Sequence, residues 1–240
     1  SFERLVAIGK IVRSAVQVSR VIVVGGRGYD REGILHHVVR RGDQQGVDTP
    51  GLGVYDKNYM VRHLGLGVDV QQQVPTILNA AGFPVVLLGK AADVVECEGA
   101  ALRPVVDSTQ VTESALSFFD ELDGGLIVVN YQESDLAGHE QDAGRYARVL
   151  KVIDEGVGEF LARLTEDDLL IVTGDHGNDP GIRHSRHTRE YTPLLVYGRS
   201  LRGCQLGTRE TLADVAATLS DFFGVKPPQF GRSFYGQLMP

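Results

Sequence analysis

Four continuous apolar runs constrain this chain more than any other feature: Val85-Val86-Leu87-Leu88 after Pro84, Leu126-Ile127-Val128-Val129, Leu169-Leu170-Ile171-Val172, and Leu194-Leu195-Val196-Tyr197 after Pro193. A strand with one wet face alternates apolar and polar residues. A run that is apolar at every position needs cover on both faces, as in parallel sheets flanked by helices. The stretches between the runs supply that cover. Ile77 to Ala81 is predicted as a helix, Tyr146, Val149, Leu150, Ile153, Val157, Phe160, Leu161 and Leu164 recur at helical steps, and so do Leu212, Val215, Leu219 and Phe222. Strands alternating with helices predict a layered α/β fold with a mostly parallel sheet.

The front of the chain reads differently. Phe2, Leu5, Ile8, Val12 and Val16 predict an amphipathic helix, and Val21-Ile22-Val23-Val24 before Gly25-Gly26 predicts a short buried strand. Gly26-Arg27-Gly28 opens like a dinucleotide fingerprint, but Arg31 stands where the third glycine belongs, so the stretch is read as a plain turn. From Arg40 to Asp69 the sequence is rich in Gly and Asp with poor periodicity, which predicts loop with short strands and a domain boundary. The expected domains are residues 1–72 and 73–240.

Charge separates along the same line. Residues 1–72 hold 10 Lys and Arg against 7 Asp and Glu, whereas the remainder holds 14 against 24. An acidic excess in the larger part argues against nucleic-acid binding, which needs clustered cations on phosphates. It favours divalent metal as a partner. The longest apolar runs fall far short of the roughly 20 residues of a membrane helix, so no membrane association is expected. With charged residues throughout the first turns, no signal peptide is expected. Two cysteines, Cys97 and Cys204, are too few for a disulfide framework and fit a reduced cytoplasmic protein.

Chemistry gathers at the strand ends, where open α/β sheets bind their ligands. Lys90 ends one apolar run, Asp135 and His139 follow the run closing at Asn130, and Asp175-His176 follow the run closing at Thr173. All four histidines beyond residue 72 (His139, His176, His184, His187) lie in this one stretch. The step of four from Asp135 to His139 puts both on one face of a helix. Carboxylate and imidazole together suit Mn²⁺ or Zn²⁺, whereas Mg²⁺ takes mostly oxygen ligands.

The order Asp175-His176-Gly177-Asn178-Asp179-Pro180, then His187-Thr188-Arg189-Glu190-Tyr191-Thr192-Pro193, closely resembles the signature of the phosphopentomutases in the alkaline phosphatase superfamily. Gly89-Lys90-Ala91-Ala92-Asp93, Gly138-His139 with Asp142, and Leu206-Gly207-Thr208-Arg209-Glu210-Thr211 add to the resemblance, which covers residues 73–240 and, more weakly, the front. It implies a core of alkaline-phosphatase type with part of an inserted α/β cap. It also implies a metal-dependent isomerase moving a phosphoryl group between the 1- and 5-positions of ribose or a relative. Two divalent cations are expected, Mn²⁺ first, with Zn²⁺ or Mg²⁺ as alternatives. By the family pattern Asp175 and His176 hold one, and Asp135, His139 and His187 the other. Lys90 and the cap residue Arg62 are the expected contacts to a small phosphosugar.

Two departures stand out. The Asp135 to His139 step is one residue shorter than in the pentomutases and matches the cofactor-independent phosphoglycerate mutases of the same superfamily. The family's opening strand, with another metal-binding Asp and the Thr or Ser that carries the phosphoryl group, has no counterpart. The chain is therefore expected to be the back part of a longer enzyme, inactive alone and completed by that missing segment. The alternatives are a phosphatase or phosphonate-handling hydrolase on the same core, and a non-catalytic metal- or phosphosugar-binding module.

Overall fold

The computed structural model describes residues 1–18, 20–26, 28–48, 51–53, 60–67 and 69–240, the side chain of Arg41 excepted. Arg27, in the glycine turn, lies outside them. The chain divides into two units, Ser1–Val68 and Asp69–Pro240; the predicted boundary after residue 72 falls just beyond, past a 3-10 turn at Val70–Gln72.

In the first unit, helix α1 (Phe2–Ala15) and strand β1 (Arg20–Gly25) stand where the periodicity predicts them. They are followed by α2 (Arg31–His36), the strands β2 (Val38–Arg41) and β3 (Gln44–Val47), and β4 (Met60–Gly65). Strands β1 and β4 pair antiparallel, with Val23 opposite Arg62. Helix α1 meets that pair through Gly9, where a Cβ would fall 2.3 Å from Val23 Cγ2, so only glycine lets the helix backbone come this close. Val23 and Leu64 are buried there, but β1 is not buried throughout, because a two-stranded sheet covers one face only, and Ile22 stays half exposed. Strands β2 and β3 form a hairpin whose two-residue turn places Gly42 at φ 60°, the left-handed geometry such turns require.

The second unit carries the α/β core. Its elements are α3 (Val74–Ala80), β5 (Val85–Gly89), α4 (Ala91–Val94), β6 (Ala101–Arg103), α5 (Ser108–Glu121), β7 (Leu126–Asn130), α6 (Gln132–His139), α7 (Ala143–Arg163), β8 (Leu170–Thr173), β9 (Leu194–Tyr197), α8 (Ala213–Phe222) and α9 (Tyr235–Leu238). Strands β6, β5 and β7 form a parallel sheet in that order. On one face Val85, Leu87 and Leu126 pack with Leu78 of α3 and Leu219 of α8; on the other Val86 and Leu88 pack with Val111 and Ala115 of α5 and Phe160 of α7. Helices α5 and α7 start at Asp107 and Asp142, whose carboxylates accept N–H bonds from Gln110 and Arg145.

The apolar runs at 169–173 and 193–197 also form strands, but not in a parallel arrangement. Strands β8 and β9 pair antiparallel, with Val172 opposite Leu195. A parallel pair needs a crossover, usually helical, and the connection from Gly174 to Pro193 contains no helix, so β9 returns directly alongside β8. Among the described residues, strand β7 has β5 as its one strand partner and β8 has β9. Between the free edges of β7 and β8 lies a cavity of about 860 Å³ lined by every residue of both strands. A cavity over one face of a strand would touch alternate residues. Lining by consecutive residues means that it runs along the two edges. Among the described residues, no helix is long and apolar enough to cross a membrane.

Candidate metal centre

Strands β5, β7 and β8 each end at this site. Strand β5 stops at Gly89, with φ 65° and so close to β7 that a Cβ would lie 2.0 Å from the Asn130 carbonyl oxygen. Lys90 follows immediately. After β7 the chain enters α6, whose first turn is anchored by Glu133: its carboxylate accepts the Ser108 N–H at 2.8 Å and pairs with Arg145 at 3.6 Å. One turn on, Asp135 and His139 face the same side, with His139 Nε2 3.2 Å from Asp135 Oδ1. After β8, Asp175 and His176 follow a single glycine. The Thr188 N–H donates to the Gly177 carbonyl at 2.9 Å and folds the following segment back, which lays the His187 ring on that of His176 with centroids 3.6 Å apart.

Asp135 Oδ1 is the hub of the arrangement. His187 Nε2 lies 3.3 Å from it and His176 Nε2 3.8 Å, while His139 Nε2 and His187 Nε2 are 3.2 Å apart. Oδ2, the other oxygen, faces Lys90 Nζ at 3.4 Å. Asp175 is the outlier: its side chain is 64% exposed and reaches the group only through His176, at 3.6 Å. Asp135, His176 and His187 offer ligand atoms all within 4.8 Å of one another. The predicted ligand sets, Asp175 with His176 and Asp135 with His139 and His187, lie next to one another, and stacking of the His176 and His187 rings places both beside one carboxylate. Arg62 lies on β4 in the other unit. His184 accepts the Arg186 N–H at 3.2 Å and serves its own turn.

The donor set suits a divalent cation. Burial alone would raise the Asp135 carboxyl, but Lys90, His139 and hydrogen bonds from Asn178 and Lys90 outweigh it and hold the group below its ordinary range. Burial and then the neighbouring His176 push His187 below the ordinary histidine range. Both shifts favour the deprotonated forms that metal ligation requires. Several imidazole nitrogens crowding one carboxylate oxygen make a concentrated set of lone pairs, which one or more cations would satisfy.

Two contacts were not legible in the sequence, although Asn178 stands within the motif that follows His176. Asn178 donates from Nδ2 to Asp135, and the Ser185 carbonyl meets His139 Nδ1 at 2.8 Å. Neither carries a charge, and a backbone carbonyl leaves no trace in residue type.

An α/β sheet whose strand ends gather carboxylates and imidazoles defines a class, the α/β metalloenzymes. The family model of the metalloenzyme superfamily matches residues 46–227, more than half of the chain. The chain belongs to the metalloenzyme superfamily. Within it, the chain is 41% identical over 172 residues to the phosphopentomutase of Herpetosiphon aurantiacus, a match covering 69% of this chain and 44% of that protein. It is 39% identical over 175 residues to the phosphopentomutase of Caldanaerobacter subterraneus subsp. tengcongensis, covering 68% and 43%. For that of Clostridioides difficile the values are 36% over 171 residues, covering 68% and 44%. The chain thus spans less than half the length of these curated relatives.

Proposed function

We propose that this chain is the metal-binding part of a phosphosugar mutase that moves a phosphoryl group between the 1- and 5-positions of ribose or a close relative. The observation that carries the reading is the convergence of Asp135, His139, His176 and His187 at the ends of β7 and β8. Similarity to three phosphopentomutases supplies the substrate class. Asp135, His139 and His187 are the proposed ligands of one cation, and Asp175 and His176 of a second, with His176 close enough to Asp135 to link the two. Mixed oxygen and nitrogen donors favour Mn²⁺, with Zn²⁺ or Mg²⁺ as alternatives. Cations bound there would polarise phosphoryl oxygens and offset the charge of the transferred group.

The remaining groups orient the substrate. Lys90 supplies a point charge for a phosphate at the rim of the carboxylate. Arg62, on residues 1–72 read as part of a cap, is the proposed contact to the sugar phosphate. The oxygen that carries the phosphoryl group is proposed to come from a further segment of the same enzyme. Three nearby hydroxyls are engaged with backbone: Ser134 Oγ donates to the Tyr131 carbonyl, Thr188 Oγ1 accepts the Asp179 N–H, and Thr173 Oγ1 points to the Gly174 carbonyl. The cavity between β7 and β8 suits a strand from that segment, since among the described residues neither flanking edge has a strand partner. We place the enzyme in the cytoplasm, where the free Cys97 and Cys204 stay reduced.

The test is interconversion of ribose 1-phosphate and ribose 5-phosphate with Mn²⁺. The purified 240-residue chain is expected to be inactive. A version extended by the upstream coding segment should turn over, and lose at least about 100-fold in kcat/KM on His187→Ala, a value in keeping with loss of a metal-ligating group. Turnover by the purified chain alone, abolished by His187→Ala, would overturn the proposal of an external nucleophile. An inactive extended enzyme with both metals bound would overturn the mutase reading.

A further inference from the structure

No ladder hydrogen bond joins β7 to β8 among the described residues. The two segments that carry the imidazoles and the hub carboxylate therefore need something other than the sheet to set their spacing. Asn178, from the segment after β8, reaches across to α6, after β7. Its Nδ2 donates to the backbone carbonyl of Asp135 at 3.0 Å and to Asp135 Oδ1 at 2.8 Å. Both partners only accept, so the amide must present its nitrogen.

Oδ1 is the same oxygen that faces the Nε2 atoms of His139, His187 and His176. With Lys90 on Oδ2 and Asn178 on Oδ1, the plane of the carboxylate is held from both sides. Space for the amide comes from Gly138, where a Cβ would fall 2.3 Å from Asn178 Cγ and Oδ1 and 2.6 Å from Nδ2. The amide is short and already committed to two hydrogen bonds, so it has little room to give way. Any side chain at 138 would push Asn178 off Asp135.

We infer that Asn178 is a positioning residue of the metal centre, aiming Asp135 at the imidazoles and tying the β7 and β8 segments together, and that Gly138 is the position that admits it. The inference rests on the metal-centre reading and goes beyond it by adding a residue that is not a ligand. Groups that orient a ligand typically change metal affinity by about 10- to 100-fold when removed.

The experiment titrates Mn²⁺ calorimetrically into the 240-residue chain and into Asn178→Ala, Asn178→Asp, Gly138→Ala, the Gly138→Ala/Asn178→Ala double variant and Asp135→Ala. Co²⁺ absorption spectra and the thermal midpoint of each metal-free protein accompany it. The two Asn178 variants should bind Mn²⁺ about 10- to 100-fold more weakly, with an altered Co²⁺ spectrum. Gly138→Ala should weaken binding similarly, and the double variant should be no worse than either single one, because both break the same contact.

Normal affinity in both Asn178 variants, with binding lost in Asp135→Ala, would overturn the inference and leave the metal centre standing. Weaker binding with an unaltered Co²⁺ spectrum and a lowered midpoint would also overturn it, since that is the mark of a merely structural role. Additive losses in the double variant would remove Gly138 from it. No metal uptake by the unsubstituted chain, or normal uptake by Asp135→Ala, would overturn the metal-centre reading and the inference with it.

Discussion

Strands β5 and β8 are near twins in sequence, Val-Val-Leu-Leu-Gly against Leu-Ile-Val-Thr, yet every residue of β5 is buried and no residue of β8 is. The difference lies in their neighbours. Strand β5 has a hydrogen-bonded partner on each edge and helices over both faces. Among the described residues strand β8 has one partner, and its other edge faces the cavity shared with β7. An apolar run states a demand for cover, and elements elsewhere in the chain decide whether the demand is met.

The comparison breaks first, if it breaks, on truncation of side chains in the two strands. Leu88 is fully buried, and Leu88→Ala should destabilise the unit by about 2–5 kcal/mol in chemical denaturation. Ile171→Ala in β8 should cost roughly half as much or less, because its surface is already partly in water. Equal losses would mean that β8 is as well covered as β5. In the enzyme extended by the upstream segment, the cost of Ile171→Ala should rise toward that of Leu88→Ala if a strand fills the cavity.

Backbone closeness gives a smaller effect. Gly89→Ala would drive a Cβ against the Asn130 carbonyl at a positive φ, and about 1–3 kcal/mol of destabilisation is expected. Gly224, at the same φ of 65°, has open space around it. Gly224→Ala should therefore cost only about 1 kcal/mol, from the backbone conformation alone. Thermal midpoints of the two variants separate the contact from the conformation. If they match, the tight approach of β5 to β7 is not what holds the site end of the sheet.

The smallest expected effect is at the end of β7. The Tyr131 hydroxyl and Thr112 Oγ1 are 2.9 Å apart, and burial pushes the Tyr131 phenol up. Tyr131→Phe removes that bond and should lower stability by about 0.5–1.5 kcal/mol. A larger loss would show that α5 is held to β7 mainly through this pair rather than through the apolar contacts of Val111 and Ala115.

Much of this architecture can be read from local pattern. Helix α7 follows its stripe from Tyr146 to Leu161, and the step of four from Asp135 to His139 is enough to put both on one face of α6. Strand direction was less accessible. The run at 194–197 looks like the other three, and only the helix-free return from Gly174 to Pro193 sends it antiparallel to β8. Asn178 stands within the Asp175–Pro180 motif, but its contact was not legible there, because it is a relation to Asp135 and Gly138, 43 and 40 residues earlier in the chain.

By itself the sequence determined which segments must be buried, which must be helical, and that carboxylates and imidazoles cluster after two strands. These follow from periodicity and residue chemistry, which act over a few residues. Tertiary structure alone decided that His176 and His187 stack beside one carboxylate oxygen, that a neutral amide donates to that carboxylate, and that among the described residues β7 and β8 are not paired with each other. Those outcomes depend on contacts between residues far apart in the chain, whose distances are set by packing.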